Sequence, residues 1–182
     1  MGSGEVNLMA IRNILGEIDV PFSLEAGTLL FVLRDDKLDP TDTDIAVNHE
    51  GMEKILKHEE LFDAYGFRRH KLFTHPSGLA SELSLIRDGN KVDIFVKEFR
   101  GDKAWSLSFN DEAPRERYYI PHVYPARHFR SYGKVKFRGL EWNIPYEAED
   151  YLTTVYGDWR TPDPNWLWWR DPKCIDYDWK IE

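Results

Sequence analysis

Asp42-Thr43-Asp44-Ile45-Ala46-Val47 decides how the rest of this chain is read. Side chains two apart on a strand leave the same face, so a strand from Thr43 to Val47 would aim the carboxylates of Asp42 and Asp44 at one point. Oxygen ligands of this kind suit Mg²⁺ or Mn²⁺, and Mg²⁺ takes one or two carboxylates and completes its shell with water and substrate phosphate. A solvated acidic turn after Pro40 is the plain alternative. Asp93 lies in a separate apolar run, Val92-Asp93-Ile94-Phe95-Val96, where a lone acid is costly to bury without a cation. On a strand beside the first it supplies a third metal ligand, and it is the candidate base for phosphoryl-type transfer; an ion pair with Lys91 or Lys97 is its structural reading.

Upstream, Phe22 to Glu25 reads as a short strand and Ala26-Gly27 as a turn. Thr28 is then the N-cap of a helix through Leu29, Leu30, Phe31, Val32 and Leu33. The first N–H groups of such a helix have no internal partner and its dipole favours negative charge, so the junction is a ready anion site. Arg34 closes the helix; it is placed either to grip a phosphate with its guanidinium or to satisfy the helix end and pair with Asp35 and Asp36.

Helical spacing of Val6, Leu8, Ile11, Ile14, Leu15 and Ile18 predicts a helix over 6–18, and a second suits 50–62. Phe67 to Phe73, Glu82 to Ile86 and Lys91 to Val96 suit strands, the last two joined by a turn at Asp88-Gly89-Asn90. The stretch 99–130 reads as loops with short strands. A hairpin follows about Arg138-Gly139, then a helix from Tyr146 to Tyr156 stopped at Gly157. Alternating short strands and helices make an α/β or α+β domain. Five of the seven tryptophans, from Trp159 to Trp179, fall at the C-terminal end. One domain over 5–162 with a Trp-rich tail over 163–182 packed on it is the expected organisation.

With 182 residues and 42% hydrophobic content the chain can bury an ordinary core. A formal charge of −8 gives no basic field for DNA, so a polyanionic partner must be met by local Arg and Lys or by metal. The single Cys174 excludes an internal disulfide and any cysteine-rich zinc site. No apolar run approaches the roughly 18 residues of a membrane span, and cytoplasmic residence is the default expectation. His122 and His128, without a partner at zinc spacing, read as structural.

Ala26-Gly27-Thr28-Leu29-Leu30, Arg34, Pro40-Thr41-Asp42-Thr43-Asp44-Ile45, Val92-Asp93-Ile94-Phe95, the hairpin from Lys134 to Leu140 and the close at Tyr156-Gly157-Asp158-Trp159 together resemble the LicD/fukutin family of the nucleotidyltransferase-fold superfamily. The resemblance implies a nucleotidyltransferase fold, a mixed β-sheet flanked by helices. It also implies an enzyme that moves a phospho-alcohol from a CDP-linked donor to a glycan or small-molecule hydroxyl. Asp42, Asp44 and Asp93 would hold the metal, and Gly27 and Thr28 would approach the phosphates. Tyr156, Gly157 and Asp158 either shape the donor or acceptor pocket or form a helix cap. Two other functions fit the same residues: transfer of the nucleotidyl group itself from a nucleoside triphosphate to a small molecule, and a nonenzymatic nucleotide-binding or antitoxin-like module.

Overall fold

A computed structural model describes residues 2–110 and 118–181. It contains helix α1 (Ser3–Glu17), strand β1 (Ser23–Leu24), α2 (Ala26–Asp35), β2 (Asp42–Asn48), α3 (His49–Lys57), α4 (Glu59–Ala64), β3 (Arg68–Thr74), β4 (Ala80–Arg87) and β5 (Asn90–Arg100). After these come β6 (Lys103–Phe109), β7 (Tyr119–Pro125), α5 (Arg127–Arg130), β8 (Tyr132–Phe137), β9 (Leu140–Pro145) and α6 (Ala148–Tyr156).

The main sheet runs β1-β2-β5-β4-β3, with β6 joined to the far end of β5 and β7 to β6. Every pairing is antiparallel except β2 with β5. The architecture is therefore α+β: a mostly antiparallel mixed sheet flanked by helices. Pleating divides the central strands. Ile45, Val47, Leu83, Leu85, Val92, Ile94 and Val96 are buried in one core with Leu8, Ile11, Ile14 and Leu15 of α1 and Met52 and Ile55 of α3. Alternate residues on the same strands, Asp42, Asp44, Glu82, Ser84, Lys91 and Asp93, line a cavity on the opposite face.

Three expectations are revised. The helix over 50–62 is two helices, because the His58 ring contacts the Lys54 carbonyl at 2.8 Å and leaves helical geometry at φ −127°. Helix α1 begins at Ser3, and Gly4 packs so closely that a Cβ there would lie 2.9 Å from the Asp39 carbonyl. The stretch expected as loops holds the end of β5 and all of β6 and β7; the part over 111–117 lies outside the described residues. Trp105, Leu107 and Phe109 alternate with serines and build a second, smaller core. Pro121 and Pro125, which argue against a central strand, sit on β7, and β7 pairs with only one strand of the sheet. Its outer edge is covered by the tail, where Val123 N–H donates to the Cys174 carbonyl at 2.8 Å and Asp176 N–H to Pro121 at 3.0 Å. No helix among the described residues is long and apolar enough to cross a membrane.

Ile94 is fully buried at the middle of the central strand. Ile94→Ala is expected to cost about 2–5 kcal/mol, read from the denaturant midpoint at constant m. A loss under about 1 kcal/mol would mean that this face of β5 is not the core.

Candidate active site

Parallel pairing of β2 with β5 puts Asp44 opposite Asp93 and Asp42 opposite Lys91. Antiparallel pairing then puts Ser84 of β4 opposite Asp93 from the other side. Because paired residues share a face, the register alone gathers two acids, a third two residues back, a lysine and a serine. Carboxylate oxygens of Asp42, Asp44 and Asp93 all lie within 4.8 Å of one another.

Local geometry holds each acid in place. Thr28 does not cap α2, whose N-cap is Glu25; its hydroxyl accepts the Asp44 N–H at 2.7 Å and so fixes the strand behind the carboxylate. Gly27 N–H donates to Asp44 Oδ2 at 3.0 Å. A Cβ at Gly27 would stand 3.1 Å from that oxygen, so the close approach requires glycine. Asp93 accepts from Ser84 Oγ at 2.6 Å and pairs with Lys91 Nζ at 2.7 Å. The same ammonium reaches Asp42 at 3.6 Å.

Like charge shows in the proton affinities. Burial first, then Asp42, Asp93 and Glu25, push the Asp44 carboxyl well above its usual range. Asp42 is raised by burial and by Asp93. Lys91 is held charged by Asp93, Asp42 and Asp44 against its own burial. The residues fit a divalent cation: three convergent carboxylates, a buried Asp42 Oδ1 with no hydrogen-bond partner among the described residues, and an ammonium already drawn to two of them.

The cavity beside these acids has a volume of about 420 Å³. Of the residues singled out in sequence, Asp42, Asp44, Asp93, Gly27 and Tyr156 line it. Thr28 lies behind Asp44. Arg34 does not line it: both Asp35 oxygens take its guanidinium, at 3.0 and 2.9 Å, and the Trp159 carbonyl lies 3.4 Å away. Gly157, at φ 71°, caps α6 under Lys173, and Asp158 beyond it is exposed and does not line the cavity.

Sequence reasoning missed Glu82, Glu25, Ser106 and Tyr124 and took His122 as merely structural; all five line the cavity. Glu82 is buried, and burial with Asp93 raises its carboxyl to about 8. Its signal was available, since the tight turn after Arg87 sets Ser84 opposite Asp93 and leaves Glu82 on the same face. His122 required the β6–β7 pairing, where the sequence reads as loops with short strands, whereas Lys97 continues the Asp93 face of β5. His128 is buried near Glu147 and Asp150 in a second cluster away from the cavity, where Arg127 bridges the two acids.

Solved structures of nucleotidyltransferase fold resemble this one. The lincosamide antibiotic adenylyltransferase LnuA, in its lincomycin-bound form, is 16% identical over 84% of this chain and 86% of its own, with a TM-score of 0.53. A solution structure of the antibiotic-resistance factor ANT(2″)-Ia is 14% identical over 95% of this chain and 82% of its own, with a TM-score of 0.50. No family model and no curated protein matches the chain. The likeness fixes the fold as that of the nucleotidyltransferases. It also corrects the LicD/fukutin resemblance: the structural neighbours are antibiotic nucleotidyltransferases, and the CDP-linked donor and glycan acceptor find no support among them. A glycine turn, an alternating acid pair and a third acidic strand mark the fold they share rather than one branch of it.

In chelator, Asp44→Asn is expected to raise the melting temperature at pH 7. The folded Asp44 carboxyl is raised, so the stability it contributes is fully present below the unfolded value of 3.8 and is lost as pH rises toward the folded one. Mg²⁺ or Mn²⁺ is expected to raise the melting temperature of the wild type and not of the variant. Equal metal shifts in both proteins would remove Asp44 from the ligand set.

Proposed function

We propose that the chain is a metal-dependent transferase that moves a nucleoside monophosphate from a nucleoside triphosphate to a hydroxyl of a small molecule. The observation that carries this reading is the Asp44–Asp93 register pair, with Asp42 and Lys91 beside it on the wall of one cavity. The fold shared with LnuA, an adenylyltransferase, supports it. Asp42, Asp44 and Asp93 would hold Mg²⁺ or Mn²⁺, which when bound neutralises the phosphate charge and stabilises the leaving diphosphate.

The acceptor oxygen attacks the α-phosphorus, a bond forms between them, and the bond from that phosphorus to the bridging oxygen breaks to release pyrophosphate. The hydroxyl proton needs a base. Asp93 already accepts from Ser84 on one carboxylate oxygen and pairs with Lys91 on the other, so neither oxygen is left open to an incoming hydroxyl. Glu82 lies on the same face with a carboxyl raised to about 8, close to the working pH, and takes the proton. Lys91 contributes positive charge beside Asp42 and Asp93.

Pyrophosphate release from a panel of nucleoside triphosphates with Mg²⁺ and small hydroxylated acceptors tests the reading. Turnover should need both metal and acceptor, and Asp44→Asn should lower kcat by 100-fold or more, roughly the loss of a metal's charge stabilisation. Release of the nucleoside monophosphate from a CDP-alcohol, or no turnover with any triphosphate, would overturn it.

Glu82→Gln should cost on the order of 10²-fold in kcat, the usual worth of a general base. In the wild type kcat/KM should rise with pH, be half-maximal near 8 and level off about one unit higher, because a base with that proton affinity is half deprotonated there. An unchanged profile in the variant would remove Glu82 from the role.

A further inference from the structure

The carboxylates occupy one end of the cavity; the other end is a buried polar floor that the transfer chemistry leaves unused. Glu25 and Lys97 form an ion pair there, each side chain only 3% exposed. Tyr151 Oη donates to Glu25 Oε1 at 3.1 Å, and Lys97 Nζ donates to Ser106 Oγ at 3.1 Å. Ser106 and His122 are register partners across β6 and β7.

Two atoms of this floor are unsatisfied. Glu25 Oε2 and His122 Nε2 are buried without a hydrogen-bond partner among the described residues, in side chains belonging to residues 2% and 7% exposed. Leaving such groups unpaired costs stability, which a ligand that pairs them recovers on binding. Glu25 Oε2 can only accept. His122 Nδ1 lies 3.5 Å from Cys174 Sγ, which leaves Nε2 as the ring atom open to a ligand. A neutral imidazole presents Nε2 as donor or acceptor according to its tautomer, and a hydroxyl satisfies either.

Charge and shape narrow the ligand further. Lys97 balances Glu25, so a cationic group brought to the floor meets an ammonium, and what attraction it feels comes from the carboxylates beyond. Burial together with Lys97 drives His122 down to about 3, which keeps it neutral. Phe95, Tyr156 and Trp166 line the walls, flat apolar faces suited to a ring. Asp93, Phe95 and Lys97 all line the cavity, and the four-residue step from Asp93 to Lys97 covers about 13 Å of strand. That length holds a phosphoryl group at the carboxylates and one ring beneath it.

We propose that Glu25 Oε2 and His122 Nε2 form an acceptor-recognition subsite for a neutral cyclic polyol, a ring with adjacent hydroxyls and no ammonium group. A hydroxyl both donates and accepts, so one hydroxyl or a neighbouring pair satisfies both atoms at once. The subsite rests on the nucleotidyl-transfer reading for its role as acceptor site, and it makes His122 a specificity-determining residue.

The test is titration calorimetry of myo-inositol, methyl glucoside and 2-deoxystreptamine, a cyclitol of the same ring size carrying ammonium groups. Each is titrated with Mg²⁺ and a non-hydrolysable triphosphate analogue into wild type, His122→Phe and His122→Asn, beside pyrophosphate release with the triphosphate panel. A neutral polyol should bind the wild type at least about tenfold more tightly than 2-deoxystreptamine. His122→Phe should lose about tenfold in that affinity, the worth of one hydrogen bond, and His122→Asn, which keeps both an N–H donor and an acceptor, should recover most of it. Acceptor KM should follow the affinity while the triphosphate KM stays unchanged.

Tighter binding of 2-deoxystreptamine, no binding of either neutral polyol, or equal affinity in a folded His122→Phe would overturn the subsite. Polyol binding that depends on His122 but gives no pyrophosphate would keep the subsite and overturn nucleotidyl transfer. Pyrophosphate released only with the ammonium-bearing acceptor would keep the transfer and overturn the subsite.

Discussion

Electrostatic repulsion among three carboxylates is the constraint on which this structure turns. The β2–β5 pairing puts Asp44 and Asp93 in register, with Asp42 two residues back. At the 4.8 Å limit within which their oxygens lie, two like charges in a medium of effective dielectric 20 cost about 3 kcal/mol. Much of the surrounding structure answers that cost. Gly27 gives a backbone N–H to Asp44, Ser84 gives a hydroxyl to Asp93, and Lys91 lies between Asp42 and Asp93. Raised proton affinities at Asp42, Asp44 and Glu82 are the remainder. A fold selected for stability alone would not hold such a cluster, so the strain points to a cation and to function.

The Glu25–Lys97 pair raises the same question in another form. Desolvating two charges costs several kcal/mol per ion, and the pair holds only with hydrogen bonds to its remaining atoms. Tyr151 and Ser106 supply two of these. The Lys97 ammonium also lies 4.7 Å from the Tyr124 ring centre and 4.9 Å from that of Phe129. Even so, Glu25 Oε2 is left over. Apolar residues of similar size would fill the space with less conflict, so stability does not account for the pair either.

What could be read from the sequence follows from which contacts are local. Alternation in Asp42-Thr43-Asp44 and the tight turn after Arg87 are short-range signals; they put Asp42 and Asp44 on one face and join β4 to β5, whereas Asp93 reaches Asp44 only through the long-range β2–β5 pairing. Thr28 was misread because a helix N-cap and a hydroxyl that accepts from the Asp44 N–H look the same in sequence; only the return of β2 against the turn separates them. Of the two readings of Arg34, the structure shows the pairing with Asp35, the nearer carboxylate. The floor was invisible for a different reason. Pro121 and Pro125 argue against a strand unless its outer edge is covered, and the cover comes from Cys174 and Asp176, some fifty residues later in the chain. The LicD/fukutin resemblance rested on the glycine turn and the acid-bearing strands, and it did not reach Glu25 or His122.

Strand β5 joins these parts into one site. An end at Val96, where its apolar run stops, would leave the carboxylates at the margin of a sheet and open to water. Its continuation to Arg100 gives Glu98, Phe99 and Arg100 partners in β6, and β6 brings Ser106 and then His122 on β7 to face the cavity. Lys91, Asp93, Phe95 and Lys97 therefore stand on one face of one strand, two residues apart, from the acidic end to the floor. The pleat fixes their spacing at about 6.6 Å per step. The distance from Lys97 to Asp93 is thus set by the backbone and not by a hinge. In the transfer reading proposed above, that fixed spacing on one strand is preorganisation of the kind phosphoryl-type transfer requires.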